Sequence, residues 1–223
     1  MARVGRRAEQ TAATRRLLID TARELFAERG YASTSIEQIL ARTRASRGAL
    51  YYHFPSKEAL FETVFDEVER EIAQRTAPAD PGVIAADPLG TIRAGCAAWL
   101  TETLDPAIRQ ISLTDAPAVL GWQRWRQIDE KYGFGAMKAA LQLAVDAGQL
   151  QPQPVDLLAH MLIAALGEAA LVVARSDDPD VALATAQAGF AGLLDGLANR
   201  SSQLGNHPDA GRPPAERRPS RSR

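Results

Sequence analysis

Apolar residues recur every three or four positions along almost the whole chain, and no stretch alternates as a strand would. Leu18, Ala22, Leu25 and Phe26 share one helical face. Gly30 sits where a left-handed residue ends such a helix, and Tyr31 is placed to pack back on it. A second, short helix carries Ile36, Ile39 and Leu40, opened by a capping box of Thr34 with Glu37 or of Ser35 with Gln38. After a break at residues 43–45, Ser46 caps a third helix that ends near Phe54, before Pro55. Ser56 caps a longer one with Leu60, Phe61, Val64, Phe65, Val68 and Ile72 at three- and four-residue spacing.

"APADPGVIAADP" (residues 77–88) breaks the pattern and reads as a linker between two domains. Helical periodicity then resumes near 88–104, 106–114, 117–148, 154–175 and 179–198. The stretch 199–223 is rich in Pro, Ser and Arg, has no apolar period and reads as a disordered basic tail. The expected fold is all-α. Residues 1–57 form a basic arm and three-helix head, 58–76 a connecting helix, and 77–198 a helical body.

Charge sharpens this division. The net charge of −1 conceals +6 on residues 1–57, −11 on 58–198 and +4 on 199–223. A basic head on an acidic body suits a polyanionic partner for the head alone. The single cysteine, Cys96, rules out an intramolecular disulfide and fits a reducing cytoplasm. No secretory h-region follows the basic start, and no apolar run approaches the roughly 20 residues that span a bilayer. No Gly-rich phosphate loop, metal-ligand spacing or nucleophile elbow is present, so neither enzyme chemistry, a cofactor nor a metal is expected.

Two short helices across a tight break, in a basic module, fit a helix-turn-helix. In "ASRGALYYHF", Ala45 and Ser46 open the reader helix, and its N–H groups suit phosphate oxygens. Arg47 has the reach for a guanine edge or a phosphate. Gly48 allows close backbone approach. Tyr51, Tyr52 and His53 carry polar tips on flat apolar bodies, and Lys57 is a point charge for phosphate.

The stretch "TSIEQILARTRASRGALYYHFPSKEALF", with "YYHFPSKEAL" from Tyr51 to Leu60 as its specific part, resembles the DNA-binding domain of TetR-family transcriptional regulators. The resemblance covers about residues 10–72. It implies a homodimer on palindromic double-stranded DNA and an effector pocket in the body whose occupancy weakens DNA binding. A cytoplasmic repressor with no membrane partner is expected; an activator, or a DNA-binding protein without an effector, remains an alternative. One departure stands out. The family often has Ala-Gly in the turn, where this chain has Thr43-Arg44. A non-Gly residue at positive φ costs roughly 1–2 kcal/mol, so either Arg44 accepts that strain or the turn has another shape. Arg44 is also a further candidate for phosphate.

In the body, 154–175 is apolar around most of its circumference, and Gly189, Gly192 and Gly196 form a small-residue stripe on the last helix. By resemblance these two helices make the dimer interface. Candidate effector contacts are Trp99, Trp122, Trp125, Met137, Met161 and Glu168, the last a lone carboxylate in an apolar helix. Plain core positions suit the aromatics equally, and a dimer seam suits Glu168. Gly133 and Gly135 are expected to kink a long helix and widen a cavity.

Overall fold

The computed structural model describes residues 2–78 and 80–204, and among them every regular element is a helix. The head comprises α1 (Ala2–Arg29), α2 (Ile36–Thr43) and α3 (Arg47–His53), joined to α4 (Lys57–Thr76). The body comprises α5 (Pro81–Ala86), α6 (Pro88–Glu102), α7 (Pro106–Ile108), a π-helical segment (Arg109–Asp115), α8 (Ala116–Asp129), α9 (Gly133–Asp146), α10 (Val155–Ala174) and α11 (Pro179–Leu204).

Local chemistry sets the ends of the head helices. Gly30, at φ 76°, stops α1 while its N–H bonds Phe26 O. The Tyr31 ring packs on Phe26 and edge-on against Phe61. Ser35 and Gln38, rather than Thr34 and Glu37, form the capping box of α2. Thr34 is buried instead, its hydroxyl within bonding distance of the Leu25 and Gly30 carbonyls. Ser46 and Ser56 cap α3 and α4 as expected. Arg44 accepts the strain: at φ 55° it is the sole non-Gly residue of positive φ among those described.

The stretch read as a linker is more ordered than its composition suggested. Asp80, Asp87 and Asp105 each precede a proline, and each side chain accepts an N–H two or three residues on, from Gly82, Gly90 and Ala107. An N-cap carboxylate followed by proline at the first helical position starts a helix rather than interrupting one. Residues 106–114 are mostly π-helical, and 117–148 is two helices. α8 bends at Gly121 (φ 70°) and ends by Glu130. α9 starts at Gly133, so the expected kink is a break; at Gly135 a Cβ would lie 2.2 Å from Glu130 O, so only glycine fits there. α11 continues to Leu204, so the first residues of the expected tail are helical. The remainder, 205–223, lies outside the described residues.

Two cores hold the molecule together. The first combines Leu18, Phe26, Ile39, Leu50, Phe61 and Phe65 of the head and α4 with Ile108, Ile111, Ala116, Leu120 and Ile128 of the body. The second gathers α6, α9, α10 and α11 around Leu100, Phe134, Met137, Leu141, Leu166 and Leu194. Trp99 packs against both. The first core therefore crosses the linker in sequence: part of the body is packed into the head.

Contrary to the sequence reading, α10 and the Pro179–Ala198 part of α11 are long and apolar enough, by length and composition, to cross a bilayer. Only 33% and 11% of those windows is buried within the chain. Leu157, Met161 and Val172 of α10 and Val181 and Leu193 of α11 are exposed.

Candidate functional site

The exposed surface of α3 and its preceding turn holds the residues singled out for DNA. Arg44, Ser46, Arg47, Gly48, Tyr51 and Tyr52 are exposed, and Ala45, His53 and Lys57 are half-buried. Leu50 and Phe54 face the other way, into the core. A helix seven residues long thus divides cleanly into an anchored apolar side and a polar outer side. Tyr52, 78% exposed, stacks edge-on against His53. Arg15 of α1 lies over the buried Phe54 ring, 5.3 Å from its centre.

Arg47 is not idle. Its guanidinium donates to Glu37 on α2 at 2.6 Å. The Glu37 carboxyl is held below its usual range, first by its own backbone N–H at the helix start and then by Arg47. Both groups are exposed, so the pair is weak and exchangeable. Arg44, in contrast, makes no ion pair among the described residues.

Lys57 has a structural role that its sequence position did not announce. Its ammonium donates to Tyr31 O and Thr34 O, each at 2.9 Å, and lies 3.9 Å from the Tyr31 ring centre. Burial pulls its pKa down, opposed by the nearby Asp115. With two of three N–H donors engaged, one is left for a phosphate. Asp115 itself accepts the Tyr31 N–H at 2.7 Å. The end of the π-helical segment, the corner between α1 and α2, and the start of α4 therefore meet at one point.

The six effector candidates divide into two sets. Trp99 and Trp125 are half-buried and Met137 is buried. Trp122 (62% exposed), Met161 (61% exposed) and Glu168 lie on the outside of the molecule. The six do not form one interior lining. α8 bends at Gly121 and leaves Trp122 outside, while the outer side of α10 carries Met161 and Glu168. Glu168, expected to need a partner because it was expected to be buried, is exposed.

The body's interior polar chemistry lies elsewhere. Arg126 stacks over Trp122, Trp125 and Phe134, with ring centres 4.7, 4.6 and 5.1 Å away, and pairs with Asp129 at 2.5 Å. Burial raises the Asp129 pKa even so. Asp66 of α4 takes Lys131 and the Tyr132 hydroxyl. One turn further along α4, Glu69 is buried beside Ser112, and burial raises its carboxyl to about 7. The sequence reading did not single out Glu69. Its spacing held the signal: it is four residues after Phe65 and three before Ile72, against the buried stripe. Cys96 is buried and its thiol is pushed up to about 12, which removes it as a nucleophile at neutral pH.

Comparison with known proteins matches both parts of this architecture. The family description "Bacterial regulatory proteins, tetR family" fits residues 18–64, and "Tetracyclin repressor-like, C-terminal domain" fits residues 89–197. A TetR-family transcriptional regulator of Pectobacterium atrosepticum is 30% identical with a TM-score of 0.66, over 85% of this chain and 96% of that one. The chain belongs to the TetR family. As a TetR-family protein it is a DNA-binding transcriptional regulator. The Transposon Tn10 TetC protein of Escherichia coli is 23% identical over 154 residues, 69% of this chain and 77% of that protein. The A-factor receptor protein of Streptomyces griseus is 43% identical over 54 residues, 24% of this chain and 20% of the receptor.

Proposed function

We propose that this TetR-family protein is a ligand-responsive repressor, cytoplasmic and not catalytic, that binds a palindromic operator as a homodimer and leaves it when a small molecule occupies the body. The clasp of Asp115 on the Tyr31 N–H carries the ligand-responsive part of this reading. It ties a body segment to the corner that positions the helix-turn-helix, so displacement of one is felt by the other. The α3 surface from Ser46 to His53, with Arg44 and Lys57 flanking it, is the DNA-reading element. Arg47 reads a base edge after exchanging Glu37 for DNA, and Lys57 offers its remaining N–H to a phosphate.

The outer side of α10 and α11 supports the homodimer. Exposed Leu157, Met161, Val172, Val181 and Leu193 would be costly to leave in water. Gly167, Gly189, Gly192 and Gly196 have nothing near the position of a Cβ within the subunit, which leaves room for the backbone of a second copy. Glu168 and Met161 then belong to the seam rather than to the effector.

The mechanism is a population shift. An effector that prefers one spacing or tilt of the two heads moves the equilibrium only by its difference in affinity for the two states. The operator-bound state places the α3 helices in major-groove half-sites about 34–36 Å apart, or a multiple of that. The test is to select DNA fragments with the purified full chain and sequence them. An inverted repeat is expected, with affinity lowered by compounds that raise the protein's melting temperature. Fragments without symmetry, or stabilising compounds that leave DNA binding unchanged, overturn the reading.

A further inference from the structure

Glu69 lacks the partner that a buried carboxyl needs. It is 8% exposed, and the groups that act on it are Ser112, Asp129 and Asp66: one hydroxyl and two further carboxylates. No Lys or Arg among the described residues pairs with it. Arg126, which pairs with Asp129 and lies over the Trp125 and Phe134 rings, is not among the groups that act on it. An unpaired carboxyl in such surroundings is strongly disfavoured in its charged form.

Ser112 is a second and separate observation. Its side chain is buried, and its hydroxyl lies close enough to Glu69 to favour the carboxylate. Yet the hydroxyl makes no hydrogen bond of normal geometry. Buried polar groups are rarely left so. It sits on the π-helical segment, a helix form that is uncommon and concentrated at functional sites. Glu69 and Ser112 are thus two buried polar side chains on facing elements, α4 and the π-helical segment, with no cation between them.

We infer that Glu69 of α4 and Ser112 of the π-helical segment bind the charged end of a hydrophobic primary or secondary amine. The inference rests on the ligand-responsive reading and names the effector class. The ammonium supplies the positive charge that the site lacks. One N–H goes to the Glu69 carboxylate and a second to Ser112 Oγ, which satisfies both orphaned groups at once. The apolar part of the ligand lies against the aromatic side chains of this region, among them Trp125 and Tyr132, which pack on the same core. A quaternary cation has no N–H to offer Ser112, and an anion would meet three carboxylates. Ser112 lies three residues before Asp115, so an ammonium drawn between α4 and the π-helical segment pulls on the clasp at Tyr31.

The experiment compares three probes with one ring system: 1-naphthylmethylamine, 1-naphthylmethanol and 1-naphthylacetate. Each is titrated by calorimetry into the full chain, its Glu69→Gln variant and its Ser112→Ala variant, at a pH about one unit above the Glu69 midpoint. The amine is expected to bind about tenfold or more tighter than the alcohol, and the acetate most weakly. Glu69→Gln, which removes a buried charge and keeps the shape, should bring amine and alcohol to within about twofold. Ser112→Ala should weaken the amine more than the alcohol. An amine preference that survives Glu69→Gln, tightest binding by the acetate, or no binding by any probe overturns the inference. Operator affinity is measured in parallel by anisotropy. Amine binding that depends on Glu69 but leaves operator affinity unchanged upholds the site and overturns the ligand-responsive reading.

Discussion

Asp115 Oδ2 accepts the backbone N–H of Tyr31 at 2.7 Å, across a sequence separation of 84 residues. Tyr31 O in turn takes the Lys57 ammonium. A body segment, the first corner of the head and the start of the connecting helix thus share one hydrogen-bonded knot. Asp115→Ala leaves the Tyr31 N–H without its acceptor and should cost about 1–3 kcal/mol of stability. Asp115→Asn keeps an acceptor oxygen and should cost less. The decisive readout is coupling: in Asp115→Ala, effector should still bind, while the fold-change it causes in operator affinity shrinks. Undiminished coupling in that variant would place the signal route elsewhere, for instance along α4 alone.

Under the proposed role of Arg47, its pair with Glu37 competes with the DNA contact. Arg47→Ala should cost about 1–3 kcal/mol per half-site and relax preference at one symmetric base-pair position. Glu37→Ala releases Arg47 and removes a negative charge from the DNA-facing side of the head, so operator affinity should rise. Binding measured against a panel of single-base operator variants distinguishes the roles. A uniform loss across the panel for Arg47→Ala would make it a phosphate contact.

Lys57→Ala should show two effects where the sequence suggested one. Loss of a phosphate contact would flatten the dependence of log affinity on log salt by about one unit per subunit. Loss of the bonds to Tyr31 O and Thr34 O should also destabilise the head, by about 1–3 kcal/mol. Thermal melting without DNA isolates the second effect. A normal melting temperature would mean that the two carbonyls find water in place of the ammonium.

Glu69 makes stability depend on pH in a defined direction. Its carboxyl titrates near 4.5 when unfolded and near 7 when folded, raised by burial, with Ser112 opposing and Asp129 and Asp66 adding to the rise. Between these values the folded state holds a proton that the unfolded state has lost, so stability falls as pH rises. The contribution is fully present below pH 4.5 and gone above about 7. The change is on the order of 3 kcal/mol. Denaturant titrations of the wild type and Glu69→Gln across this range should converge at low pH, with the variant the more stable at pH 8. A constant difference between them would remove Glu69 as the source.

These groups differ in how legible they were. Helix ends in the head depend on contacts within four residues, so Gly30, Ser46 and Ser56 could be read from local chemistry, while the capping box of α2 stayed open between Thr34 and Ser35 until the structure chose Ser35. Arg44 posed a choice between strain and another turn, and only the backbone could decide it. Phe61 and Ile72 were legible as core because their spacing repeats. The π-helical segment was not, because "RQISLTD" has no residue whose local preference demands an extra residue per turn. It forms where the segment packs between α4 and the corner after α1. Trp122 and Trp125 share a face on an ideal helix, but Gly121 alters the path that leads into them. The exposure of Met161 and Glu168 depends on how much of α10 the subunit covers, which periodicity cannot report for a helix that is apolar nearly all round.

The last two helices give the most direct test of assembly. Gly192 has nothing within 4 Å of where a Cβ would stand, and the same is true of Gly189 and Gly196. Within one subunit a larger side chain there meets open space, so Gly192→Leu should fold normally and gain helix propensity of about 1 kcal/mol. Across a close helix–helix contact between two copies, the same side chain would force the backbones apart. Sedimentation should therefore show monomer for Gly192→Leu under conditions where the wild type is dimeric, with an unchanged helical spectrum. Operator affinity should fall steeply, because a lone head loses the second half-site. Met161→Glu, on the exposed apolar side of α10, should act in the same direction by burying a charge at the seam. If both variants remain tight dimers, the subunits join through a different surface.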